Sequence, residues 1–193
     1  MARQLGAMLC CIAVILGTTT PSTTSARESG NWAVSALAGT LTTGSWHEAI
    51  NPGKLDFADS YMLGGALSWE RPIGASRFQF GVEAQLLAHV GRQDHFELNV
   101  PVVLRYVPET TRGISSVAAG LGLSYASKIP QVEIDRNGAS QRLFVYWMAE
   151  VEFPLAHPDR SALIRLHHRS DGYGIFDVDA GSTGFVFGLR HRF

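Results

Sequence analysis

His168 and Ser170 stand two residues apart in the stretch LIRLHHRSDGYG, which runs from Leu163 to Gly174. On an extended backbone, residues i and i+2 share a face and lie roughly 6.5–7 Å apart at Cα. An imidazole and a hydroxymethyl group reaching toward each other can close that gap to hydrogen-bond distance. A histidine that takes the serine proton makes an activated nucleophile, the starting point for acyl transfer. Such a pair works only if the surrounding elements hold it in place, so those elements come next.

The chain has 193 residues, formal net charge −1, 46% hydrophobic residues and 20 glycines, which fits one domain. Its start, MARQLGAMLCCIAVILG followed by TTTPSTTSA, has the layout of a secretory signal with cleavage after Ala26. Cys10 and Cys11 would leave with it, so the mature chain carries no thiol chemistry. A net charge near zero argues against a nucleic-acid partner. No stretch after Ala26 approaches the ~20 apolar residues that a membrane helix needs.

Alternation at period two dominates the rest. Phe78, Phe80, Val82, Ala84, Leu86 and Ala88 alternate with Gln79, Gly81, Glu83, Gln85, Leu87 and His89. The pattern recurs along the chain and predicts eight strands. They lie near residues 32–42, 59–70, 76–90, 93–107, 114–127, 141–153, 161–170 and 182–193. Several match the ~9–11 residues that cross a bilayer at a tilt. One face of each is apolar, and the other carries Glu83, Glu97, Arg105, Glu150, Glu152, Arg165 and Arg190. Lipid outside and paired charges inside a narrow lumen reconcile the two faces. The expectation is an all-β, eight-stranded antiparallel up-and-down barrel over residues 27–193, integral to a bacterial outer membrane. Links after strands two, four and six are short and those after one, five and seven are longer, as in outer-membrane barrels; only the link after strand three, near Gly91, breaks the pattern by being short. The C-terminal FGLRHRF ends in Phe193 and resembles the closing signal of bacterial outer-membrane barrels.

On strand seven, Ala162, Ile164 and Leu166 continue in parity to His168 and Ser170, whereas Leu163, Arg165, His167 and Arg169 face inward. With both termini in the periplasm, this strand finishes at the outer surface. A lipid-facing Ser–His pair there meets the ester-linked acyl chains of lipopolysaccharide.

At these residues the chain resembles the outer-membrane lipid A 3-O-deacylases, whose barrels carry a His-x-Ser-Asn motif on the penultimate strand. The matching stretch is His168-Arg169-Ser170-Asp171, followed by Gly172. The resemblance implies an esterase with Ser170 as nucleophile and His168 as general base, acting on lipid A without a cofactor. Two positions depart from the pattern. Asp171 replaces an asparagine that helps bind the oxyanion, so backbone N–H groups near Asp171 and Gly172 have to serve. The family's glutamate, counted without gaps, falls on Ser182; Asp177 or Asp179 could orient His168 instead, with Asp179 preferred as nearer strand eight.

Tyr173 and Phe176 read as interfacial anchors, and Trp32, Trp46, Trp69 and Trp147 as girdle or packing residues. His47, His89, His95 and His157 look too scattered for a metal site, so none is expected. The partners expected are lipid A and membrane lipids, with a homodimer left open. Two functional readings compete: a non-enzymatic small barrel, acting as a structural protein, adhesin or narrow pore, and a soluble barrel that binds an apolar ligand inside.

Overall fold

The computed structural model describes residues 31–109 and 113–193. The signal segment expected over residues 1–26 lies outside them. Eight antiparallel strands follow one another around a closed barrel: β1 (Asn31–Thr42), β2 (Phe57–Pro72), β3 (Phe78–Gly91), β4 (His95–Tyr106), β5 (Ser116–Ala126), β6 (Leu143–Pro154), β7 (Arg160–Ser170) and β8 (Gly181–Arg192). Closure runs through β1 and β8, from Ala33 opposite Arg192 to Leu41 opposite Gly184. Among the described residues no strand edge therefore remains to recruit a second copy by strand addition.

The barrel is an inside-out protein. Its largest fully buried side chains are led by Arg105, Arg165, Arg169 and Arg190, while Phe80, Leu86, Phe96, Val100, Leu121 and Phe187 are exposed on its outer wall. All seven charged residues expected on the inward face are buried. Such an arrangement is stable only where hydrocarbon, not water, surrounds the wall. Among the described residues no helix is long and apolar enough to cross a membrane; the strands do the crossing.

Charge pairing explains how the lumen tolerates this content. Arg165 donates to Glu83 at 2.8 Å and to Glu150 at 2.6 Å. Arg105 bonds Glu70 at 2.7 Å and Glu150 at 2.9 Å. Arg190 reaches Glu83 at 3.0 Å and Glu150 at 2.8 Å, and also pairs with Glu152. Each guanidinium thus has more than one carboxylate, the condition under which burying it is bearable. Leu37, Leu41, Met62, Leu87, Leu163 and Val186 pack the neighbouring part of the interior. Among the described residues, paired charges and this apolar cluster together fill the narrow interior.

Two short helices, absent from the sequence reading, sit in the longer links. In α1 (Trp46–Ala49), the Ser45 backbone N–H donates to Glu48 Oε2 at 2.8 Å, half of a capping box. In α2 (Gln131–Asn137), Gly138 ends the helix in the left-handed region at φ 77°, its N–H bonding Ile134 O at 2.8 Å. Val132 of α2 joins the luminal apolar cluster and Glu133 is buried beside it, so α2 stoppers the mouth of the barrel opposite the termini.

Candidate active site

Strand register builds the site sideways. His168 lies opposite Trp147 on β6 and opposite Thr183 on β8. Directly opposed residues in an antiparallel sheet share a face, so Trp147, His168 and Thr183 form a lateral row on the outer wall. Two residues further along, Ser170 stands between Val145 and Gly181. The outward placement of His168 and Ser170 and the inward placement of His167 follow the parity of β7, where Arg165, His167 and Arg169 are all buried in the lumen.

His168 is only 8% exposed despite facing outward. The indole of Trp147 lies 5.0 Å from its ring, and Trp46 of α1 meets Trp147 edge-on at 5.7 Å. Thr42 anchors this cover from below by donating to Thr183 O at 3.1 Å. Trp147, backed by Trp46, therefore roofs the imidazole, which for both is the packing role of the two expected. The girdle reading fits Trp32 and Trp69, which pair across β1 and β2 on the outer wall at the opposite rim.

The ring Nδ1 of His168 is 2.8 Å from Thr183 Oγ1. This corrects the expected orienting carboxylate: Asp177 and Asp179 are exposed in the β7–β8 link and make no hydrogen bond or ion pair among the described residues. Counting along the chain from Ser170 missed the partner by one position. Ser182 faces the lumen and donates to Glu133 Oε1 at 2.8 Å, whereas Thr183 faces His168. Burial pushes the Glu133 carboxyl above its ordinary range, although Arg169 lies 3.0 Å away.

Ser170 is half-buried at the lip of the strand, and no direct hydrogen bond joins it to His168. Its Oγ accepts from Gly172 N at 3.4 Å. The Asp171 N–H already donates to Ala180 O at 3.2 Å, which removes Asp171 from the expected oxyanion donors and leaves Gly172. The Asp171 carboxylate is turned away from Ser170, accepting from Gly174 N at 2.6 Å. That bond braces a tight turn in which Gly172, Tyr173 and Gly174 all have positive φ, from 61° to 86°. Gly181 supplies the room: a Cβ there would fall 2.4 Å from Arg169 O and 3.0 Å from Ser170 Cβ. Tyr173 projects from the turn, 94% exposed, as an anchor should. Phe176 does not; it packs edge-on at 6.1 Å against Phe144, which is buried in the lumen.

Behind the outer row lies a second polar cluster that the sequence reading scattered. His89 and His95 are cross-strand partners on β3 and β4, stacked at 4.3 Å with an interplanar angle of 10°. Glu97, two residues beyond His95 on the same inward face, contacts His89 Nε2 and His167 Nε2, each at 3.0 Å. The expectation that these histidines lie too far apart to hold a metal is therefore wrong for His89 and His95. The short β3–β4 link folds them onto each other.

No family model matches the chain, and no curated protein matches its sequence. Among solved structures the barrel is similar to the outer membrane enzyme PagL, with 17% identity, a TM-score of 0.58, and coverage of 82% of this chain and 98% of that one. This chain is a closed eight-stranded β-barrel of the outer-membrane type.

Proposed function

We propose that the barrel is an outer-membrane esterase that removes an ester-linked acyl chain from lipid A of lipopolysaccharide. The observation that carries this reading is the placement of His168 and Ser170 together on the lipid-facing wall, at the end of β7 farthest from the termini. Acyl esters of outer-leaflet lipid lie at that depth, so substrate can reach Ser170 laterally from the membrane. The motif resemblance to lipid A 3-O-deacylases and the fold likeness to an outer membrane enzyme point the same way.

In the tautomer that serves as base, His168 Nδ1–H donates to Thr183 Oγ1 and leaves Nε2 free. Nε2 takes the Ser170 proton as Oγ bonds to the ester carbonyl carbon. The resulting oxyanion accepts from the Gly172 N–H, which already points toward Oγ. Collapse breaks the acyl C–O bond, and His168 returns the proton to the departing sugar hydroxyl. Water then enters by the same route: His168 takes its proton as the water oxygen bonds to the acyl carbon, the acyl–Oγ bond breaks with that proton passed to Ser170 Oγ, and the free fatty acid leaves. Contact with Ser170 needs a rotation of the two side chains toward each other, a tightening expected when substrate binds. The roof of Trp46 and Trp147 keeps bulk water from the imidazole.

The test is direct. Purified barrel in detergent, given lipopolysaccharide, should release fatty acid, and the lipid A should lose the mass of one acyl chain. Lipid A of unchanged mass would leave the non-enzymatic barrel as the correct reading. A second measurement addresses the hydroxyl beside His168. Replacing Thr183 with valine keeps the shape but removes the bond to Nδ1, and kcat/KM should fall by about 10-fold, the equivalent of one hydrogen bond. Unchanged kcat/KM would mean that Thr183 does not hold the working tautomer.

A further inference from the structure

We propose that the lumen, at the end opposite the termini, binds one divalent transition-metal ion of the zinc type through His89, His95 and Glu97. The three ligand atoms these residues offer lie within 4.8 Å of one another, and all three residues are buried. Two imidazoles and a carboxylate are a donor set suited to zinc and its neighbours, whereas magnesium and calcium prefer oxygen alone. The cluster lies inside the barrel and takes no part in the proposed ester chemistry on the outer wall.

Three further features support a binding role. His95 is 6% exposed, and its Nε2 has no hydrogen-bond partner among the described residues, a costly arrangement for a buried nitrogen unless a ligand completes it. Glu97 is held from its other side: Oε1 lies 3.0 Å from His167 Nε2 and accepts from Ser124 Oγ at 3.1 Å. Partners of this kind orient a ligating carboxylate. A cleft of about 310 Å³ at the mouth has His95 in its lining, together with Gln93, Asp94 and Lys128. At that entrance Lys128 Nζ donates to Asp94 Oδ2 at 2.9 Å.

Binding requires a defined tautomer change. In the metal-free arrangement Gln93 Nε2 lies 2.9 Å from His89 Nδ1, which makes Nε2 the protonated nitrogen facing Glu97. Coordination through Nε2 shifts that proton to Nδ1. The Gln93 amide must then turn its oxygen to His89, giving up only a 3.3 Å bond from Val132 N. His95 must also swing inward, because ligands at 2.0–2.1 Å around a tetrahedral ion sit roughly 3.3 Å apart.

The experiment uses tag-free barrel folded in detergent, with Zn²⁺ competed against a chromophoric chelator and Co²⁺ as a spectroscopic probe. The wild type should take up one equivalent and show visible absorption bands of Co²⁺ coordinated by nitrogen and oxygen. His95→Gln should weaken Zn²⁺ on the order of 100-fold and erase the bands. His157→Gln, at an exposed site on the other rim, should leave both unchanged. Heat-dependent gel mobility confirms that each variant is folded, and Glu97→Gln supplies a second ligand change should His95→Gln fail that check. Equal Zn²⁺ affinity in the wild type and the folded ligand variant would overturn the site, as would an equal loss in His157→Gln. Fatty-acid release is not part of the readout, so either proposal can fail without the other.

Discussion

Replacing Ser170 with alanine should reduce fatty-acid release from lipopolysaccharide by at least about 10³-fold and leave the barrel folded. The size follows from chemistry: without Oγ no acyl–serine can form, and the remaining groups offer only a base and one oxyanion donor. The barrel should be indifferent, because the hydroxyl makes no strand-to-strand bond. Its one hydrogen bond among the described residues is from Gly172 N at 3.4 Å, at the end of β7 where the ladder gives way to the turn. Release and heat-dependent gel mobility are measured on the same preparation. If the variant is folded and still releases fatty acid at the wild-type rate, Ser170 is not the nucleophile and the mechanism is wrong. This outcome differs from an inactive wild type, which rejects the enzyme itself.

Much of this architecture is legible in the chain, for a physical reason. Alternation at period two encodes which side chains face lipid, and the inward set, from Glu83 on β3 to Arg190 on β8, was readable residue by residue. His168 and Ser170 share a face for the same reason. What local pattern does not encode is register between strands. Counting forward from Ser170 lands on Ser182, but pairing of β7 with β8 sets Thr183 opposite His168, and a one-residue error exchanges lumen for lipid. The meeting of His89 with His95 was hidden likewise, since it depends on how tightly β3 turns into β4. Trp46 had a local signal that went unread: Ser45-Trp46-His47-Glu48 has capping-box spacing, which announces a helical turn inside a loop. No spacing rule would have said that this turn roofs His168.

The largest effect on stability should come from Glu150. Its carboxylate is the shared acceptor of three guanidiniums, from Arg105 at 2.9 Å, Arg165 at 2.6 Å and Arg190 at 2.8 Å. Changing Glu150 to alanine leaves those three buried cations with Glu70, Glu83 and Glu152 to share. Removing one partner of a buried pair costs about 3–5 kcal/mol, most of it the penalty of the charge left behind. Urea unfolding of barrels folded into lipid vesicles should show a loss of that size. Glu150→Gln, which keeps one acceptor oxygen, should fall between the variant and the wild type. Leu121→Ala is the contrast: it is exposed on the outer wall, where the lost methyl groups only faced lipid, so its effect should be smaller. If Glu150→Ala unfolds at the same urea concentration as the wild type, the interior is not held together by its ion pairs. The inside-out arrangement would then rest on packing of Leu37, Met62, Leu87 and Leu163 alone.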